Sequence, residues 1–380
     1  MFIRDIIYKA PAYSFIPLLI KYIPMIDIDD LSVQVKKNCN ISDAQFWGTY
    51  SLCGLLLRLR ELYRVEKGIK LWEKIPQRDV GEWITNRENL WRELEEEDYK
   101  NIAINDNIYG PFEVEKINDD LAKERLIYGA GLGLHGKPCF FLADLTSKKA
   151  IDGFDIFLSG REYAKDLSEY PALLQDRAIF ARTEPTKHLL WQRFEEMRCK
   201  STKYALTFAF SKYGISHREE PSEEMDKKIS DVANSEAETY IHHELGEAFE
   251  GEKIGDDWKK LLTCLPHSKA ELFARAVKDV LSDTSEKGML KYIIESRKEG
   301  SLGFYVVFFS ALRKIIFPEI LDAFRTFVEK KDWQPIDDAK KVGYRRAEEY
   351  AARLLLLYRK REDEASLSYS IENEILKGLL

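Results

Sequence analysis

"RLIYGAGLGLHGKPCFFLADL", Arg125–Leu145, decides the fold class. Its two ends, "RLIYGAGLG" and "KPCFFLADL", are short runs rich in aromatic and β-branched residues, and glycine and polar residues separate them. That is the signature of paired strands. Gly131, Gly133 and Gly136 spell G-x-G-x-x-G, which in a dinucleotide fold follows a strand and opens a helix, so that the helix N-terminus faces the pyrophosphate. Here Lys137-Pro138 leads into "CFFLADL", a second strand, so the required context fails. A protein kinase does place such a loop between strands, but no D-F-G or H-R-D follows. The glycines therefore read as a hairpin connection that needs positive φ.

Working outward, "GPFEVEKI" and "AIDGFDIFLSG" extend the pattern to an antiparallel meander of three or four strands at about 105–160. Helical periodicity surrounds it. Upstream, Ser42 and Gln45 have capping-box spacing, Leu52, Leu55, Leu56, Leu59 and Leu62 recur at helical intervals, and Gly68 reads as a stop. A second helix runs from about Val80 into "ENLWRELEEEDYKNI". Downstream, "REYAKDL" and "TKHLLWQRFEEMRCKSTKYALTFAFSKYG" are helical in pattern. The first unit, 1–215, is thus expected to be α+β, with helices on one face of a small sheet.

"SHREEPSEEMDKK", Ser216–Lys228, is charge-dense and poor in apolar residues, and reads as a linker. Beyond it, 229–380 patterns as an all-α bundle, with helices at about Ile229–Phe249, Ser268–Leu281, Leu302–Phe317, Pro318–Glu329 and Asp337–Arg361. The last is locally basic, through Lys340, Lys341, Arg345, Arg346, Arg353, Arg359, Lys360 and Arg361; such a helix can dock on a partner or an acidic surface, and here it reads as an outer bundle helix. The fold class is α+β and predominantly α-helical.

The 380 residues carry a net charge of -7, 45% apolar residues and 12% aromatics. That supplies packed cores and argues against broad binding to nucleic acid or an anionic membrane. Cys39, Cys53, Cys139, Cys199 and Cys264 are odd in number, with no C-x-x-C pair, so a reducing cytoplasm is expected. The opening "MFIRDIIYKAPAYSFIPLLIKYIPM" is broken by Pro11, Pro17 and Pro24 and lacks the form of a secretory leader. The apolar run "LGFYVVFFSAL" is far short of the roughly 20 residues of a membrane helix.

One stretch points to chemistry. In "YIHHELGEAFEGE", Tyr240–Glu252, helical spacing puts His243 and Glu247 on one face, extended by Glu236 and Glu250. His242 points about 100° away. The stretch resembles the H-E-x-x-H helix of zincin metallopeptidases. The resemblance implies His243 as a metal ligand and Glu244 as the catalytic general base. Glu247 stands where the second histidine belongs, and the G-x-x-H continuation is missing. A divalent metal (zinc, iron or manganese) would take His243, Glu247, Glu236 and His267. The bland alternative is an i, i+4 polar pair with His242 packed between helices.

A longer block, "GKPCFFLADL" through "DGFDIFLSGREYAKDLSEYPALLQDRAIFARTE", resembles an uncharacterised bacterial protein family over about Trp47–Tyr213, with a shared pattern at Gly160, Arg161, Glu162 and Asp166. It implies bacterial, cytoplasmic origin and no catalytic residues. Arg161, Glu162, Arg177, Arg182 and Glu184 in this block either line a cleft or form surface ion pairs. The sequence therefore leads to an intracellular scaffold or interaction protein, with a protein partner or a second copy as its mate and optionally a metal in its bundle. The alternative is a metal-dependent hydrolase with a degenerate H-E-x-x-E helix.

Overall fold

The computed structural model describes residues 26–199, 204–266, 268–361 and 363–379. The opening stretch read above and the His267 side chain lie outside them.

The N-terminal half opens with α1 (Ile28–Phe46), α2 (Leu52–Lys67) and α3 (Gln77–Leu94). Asp27 caps α1 by accepting from the amides of Asp29 and Asp30, and Ser51 caps α2 by accepting from Gly54. Ser42 is thus no cap. It lies inside α1, and its hydroxyl donates to the Pro138 carbonyl. Gly68 does end α2, at φ 64°, the left-handed conformation glycine adopts without strain.

A two-stranded ribbon, β1 (Ile102–Ile104) and β2 (Asn107–Tyr109), precedes α4 (Val114–Leu121). "GPFEVEKI" is therefore a turn and a helix, not a strand. Its Val114, Ile117 and Leu121 recur at 3 and 4 residues and are buried, a period that outweighs the local β propensity.

The main sheet holds β3 (Leu126–Leu132), β4 (Pro138–Ile151), β5 (Phe154–Lys165), β6 (Ala172–Gln175) and β7 (Ala178–Arg182), in the order β3-β4-β5-β7-β6. β3 and β4 form the expected hairpin, Leu132 opposite Pro138. "REYAKDL" is not helical, since its first five residues continue β5. The departure from a meander comes at the end: β7 pairs parallel to β5, and β6 pairs antiparallel on its outside. Alternation along β5 and β7 sends Phe157 and Phe180 to the face under α1 and sends Ile156, Ile179 and Ala181 to the other. Both faces are covered, not one.

What covers the second face is α7 (Glu223–Ile254), through Ala237, Ile241 and Leu245. Before it come α5 (Thr183–Cys199) and α6 (Tyr204–Ser211), whose Leu190, Phe194, Leu206 and Phe210 share a core with Met225, Ile229 and Val232 of α7. Residues 223–228, expected within the linker, are the first turns of α7, capped by Ser222.

The bundle continues through α8 (Asp256–Thr263), α9 (Lys269–Thr284), α10 (Met289–Glu295), α11 (Glu299–Phe308), α12 (Ala311–Ile316), α13 (Glu319–Lys330), α14 (Gln334–Lys360) and α15 (Glu364–Glu374). α9 is its axis, packed between α7 and α14. The run expected as one helix over Leu302–Phe317 breaks at Phe309-Ser310, where the Ser310 hydroxyl caps α12.

Candidate functional site

The three-layer stacking leaves a cleft where the sheet meets the bundle. Its inner lobe, about 210 Å³, lies between Tyr170–Ala172 and residues of α7, α9, α11 and α12. Its outer lobe, about 650 Å³, opens under the β3–β4 turn at Leu132–Leu134. Tyr170, His243, Glu244 and Asp279 line both. The turn is tied down from both sides: the Leu134 amide donates to the Tyr170 hydroxyl at 2.8 Å, and His135 Nδ1 lies 3.3 Å from Glu271 Oε2 on α9.

On α7, the four-residue spacing places His243 and Glu247 side by side, Nε2 to Oε2 4.0 Å. Neither depends chiefly on the other. His243 Nδ1 donates to Asp283 Oδ1 at 2.7 Å, and Asp283 also accepts from Arg313 at 3.1 Å. Burial opposes the charged imidazole, but the charge and hydrogen bond of Asp283, with Glu244 behind it, hold His243 up to about 10. The ring is an imidazolium at neutral pH. Glu247 pairs with Lys278 at 2.5 Å, which outweighs burial and keeps it below the usual carboxylate value.

Glu244 is different. It is 8% exposed, and burial followed by the negative charge of Glu247 pushes its carboxyl up to about 7. No hydrogen bond or ion pair reaches it, or Asp279, from the described residues. Burial also raises Asp279. Glu244 is pushed up while its neighbour Glu247 is kept down, and driving two neighbouring carboxyls to different protonation states is how a protein separates an acid from a base at one pH.

Of the other residues singled out from sequence, Glu236 lies in the inner lobe and accepts from Ser301 at 2.7 Å and from Tyr213. Among the described residues no three His, Cys, Asp or Glu side chains are arranged to hold a metal ion. His242 stacks on Tyr292 with ring centroids 4.3 Å apart, packed between helices as the bland reading has it. The charged residues of the β5–α5 block do not line this cleft. Glu162 and Arg182 form a buried pair at 2.7 Å, while Arg161 and Arg177 lie over the rings of Tyr163 and Phe154.

Tyr170, Lys278, Asp279, Asp283 and Arg313 escaped the sequence reading. They come from other elements, so no spacing connects them to Glu244. Also missed was a second buried polar group under α1. Lys137 Nζ lies 3.1 Å from Asp43 and 3.5 Å from Asp166, with the Cys139 thiol 3.2 Å from the Ser168 hydroxyl. Burial pushes Cys139 up to about 12, so it stays a neutral thiol and no nucleophile.

No curated protein and no solved structure matches the chain. Two family models do: the N-terminal domain of the family of unknown function DUF6866 over residues 30–182, and its C-terminal domain over 187–376. They meet at the start of α5, the sequence reading having drawn its linker at Ser216–Lys228. Spanning nearly the whole sequence between them, these matches make the chain a member of the family of unknown function DUF6866.

Proposed function

We propose that the cleft between sheet and bundle is a small-ligand site and that Glu244 is the group that exchanges a proton there. One observation carries this reading: a carboxyl that is nine-tenths buried, lines both lobes and has no hydrogen-bond or ion-pair partner among the described residues, so that burial and Glu247 push it up to about 7. His243, clamped to Asp283, supplies fixed positive charge and is a positioning residue. The test is a carbon-detected NMR titration of Glu side-chain carboxyls, with Glu244→Gln to assign the resonance. A midpoint near 7 is expected. An ordinary value, about 4.3, would remove Glu244 from the role.

The second reading is an interaction protein, optionally carrying a metal in its bundle. Its support is an exposed apolar stripe, Trp47 with Leu52, Leu56 and Leu57 of α2. For the metal, the support is that Asp283 orients His243 as a carboxylate orients a ligating imidazole, leaving Nε2 towards Glu247. Metal binding there requires Glu247 to leave Lys278 and the imidazolium to lose its proton. Sedimentation of wild type against Leu52→Asp/Leu56→Asp tests the stripe: equal, monomeric masses count against self-association. Elemental analysis of untagged wild type against His243→Ala tests the metal, which must be near-stoichiometric and vanish in the variant. Five free cysteines, two of them buried, support a reducing, cytoplasmic setting, and the sequence resemblance supports a bacterial one.

A further inference from the structure

We infer that the ligand of this cleft is an organic monocation, a primary amine carried on an aromatic or alkyl body, whose ammonium sits between Glu244 and Asp279. This names the ligand class for the site proposed above and rests on the cleft being the working site.

The argument begins with which groups are free. The cations facing the cleft are already engaged: His243 and Arg313 on Asp283, Lys278 on Glu247, Arg275 on Glu271. An anionic ligand would have to break these pairs. The carboxyls of Glu244 and Asp279 receive no hydrogen bond or ion pair from any described residue, and the charges of His243 and Lys278 act on the first, and of Arg313 and His243 on the second, only from a distance, so the cleft offers acceptors. Glu244 is nine-tenths buried and lines both lobes of the cavity. Leaving such a carboxylate without a partner is costly, and a ligand that supplies one recovers that cost.

Charge balance sets the valence. Of the groups around Glu244, His243, Arg313 and Lys278 carry three positive charges against the two of Asp283 and Glu247, leaving one, which Asp279 balances; the Arg275–Glu271 pair cancels, and Glu236, bonded to the neutral Ser301 and Tyr213, is a further carboxyl of the inner lobe. Glu244 is then the surplus carboxyl, which agrees with burial and Glu247 pushing it to about 7. Ionising it calls for one more positive charge. The groups that face Glu244 are His243 and Glu247 on its own helix and Lys278 and Asp279 on α9. Among the described residues, the sheet side of the cleft presents Tyr170 and apolar residues.

The walls set the chemistry of the body. Tyr240, Phe304, Tyr305 and Phe308 line the inner lobe, and aromatic faces attract an organic cation. The outer lobe is rimmed by exposed Leu132, Leu134 and Leu272, apolar surface that a ligand's stem would cover. An inner lobe of about 210 Å³ admits a small molecule and excludes a folded partner. The described residues provide no cluster of three metal-ligating side chains, which favours an amine over a metal ion.

Calorimetry on the full chain at pH 8 decides it, with phenethylamine and hexylamine set against phenylethanol and hexanol, and with Zn²⁺ and Mg²⁺ each tested alone. At least one amine is expected to bind about tenfold or more tighter than its alcohol. Glu244→Gln and Asp279→Asn, both near-isosteric, should each remove most of that preference; circular dichroism and melting temperature check their folding, and either variant alone suffices if the other unfolds. Equal binding of amine and alcohol, no amine binding at millimolar concentration, or a metal ion that binds tighter than the amines overturns the inference. Failure here is separable from failure of the proton-transfer reading. Amine binding with Glu244 titrating at an ordinary carboxyl value keeps the ligand and removes the acid, and a midpoint near 7 with no amine preference does the reverse.

Discussion

Lys137 sits with 2% of its surface exposed, between Asp43 of α1 and Asp166 at the end of β5. Each carboxylate is also held by the backbone, Asp43 by the Leu167 amide at 3.1 Å and Asp166 by the amides of Phe140 at 2.7 Å and Ser168 at 2.5 Å. Burial lifts Asp43 to about 6 even with the ammonium beside it. Removing the cation leaves two buried carboxyls facing each other. Lys137→Met should therefore cost about 3–5 kcal/mol, read from urea unfolding, although methionine fills the space. A loss under about 1 kcal/mol would mean the cluster takes up water instead. At His243 the prediction concerns pH. Its folded value, about 10, lies above the ordinary 6.5, so the native state binds the proton more tightly than the unfolded chain. The stabilisation is complete below about pH 6.5 and is lost as pH rises towards 10. Stability of wild type relative to His243→Gln should accordingly shrink over that window. A difference that stays level, or grows with pH, contradicts the imidazolium assignment.

The contact of α7 with the end of α9 and the start of α10 closes on two glycines, Gly246 of α7 and Gly288, the N-cap of α10. A methyl group on Gly246 would stand 2.4 Å from the Ser282 carbonyl oxygen, and one on Gly288 would stand 2.0 Å from the same atom. Backbone lies on the far side, so nothing flexible yields. Gly246→Ala should destabilise by about 1–3 kcal/mol despite the better helix propensity of alanine, because the overpacking outweighs the propensity gain. Since α7 carries Glu244 and α9 carries Asp279, the same variant should weaken amine binding, and a variant as stable as wild type would mean the helices separate without cost. This contact also shows where sequence reading runs out. "YIHHELGEAFEGE" displayed its helix and the His243–Glu247 face because both lie within four residues. Gly246 carried no visible reason to be glycine, since its reason is an oxygen on another helix. The β3–β4 hairpin was legible because its turn and flanking strands are contiguous, although of Gly131, Gly133 and Gly136 only Gly136 takes the expected positive φ, beside His135. The parallel β5–β7 pair was not, because β7 has five residues and leaves little periodicity, and the chain between the two strands runs through a connection and the four-residue β6 before β7 returns beside β5.

Sheet and bundle share one core at α7. Ile156, Ile179 and Ala181 of the sheet pack on Ala237, Ile241 and Leu245, and the surface ion pairs of Lys149 with Glu238 and Lys287 with Asp152, together with the more buried His135–Glu271 contact, supplement them across the same boundary. The family models divide the sequence near residue 185, but the division does not fall between separate cores. Without the bundle, the second face of the sheet would lie open. Without the sheet, α7 would show an apolar stripe. Neither half is then expected to be stable alone, and the whole chain should unfold as one unit. Tryptophans sit in both halves, Trp91 beside α1 and Trp258 in the bundle, so fluorescence and far-ultraviolet circular dichroism sample the entire molecule. Their urea transitions should coincide. Ile241→Ala, which empties the shared core, should lower both midpoints together at a cost of about 2–5 kcal/mol. Two transitions of which the variant moves only one would show that the halves fold independently. The cleft between them would then be a hinge rather than a fixed site, and the pKa of Glu244, which depends on burial from both sides, would fall back towards its ordinary value whenever the hinge opened.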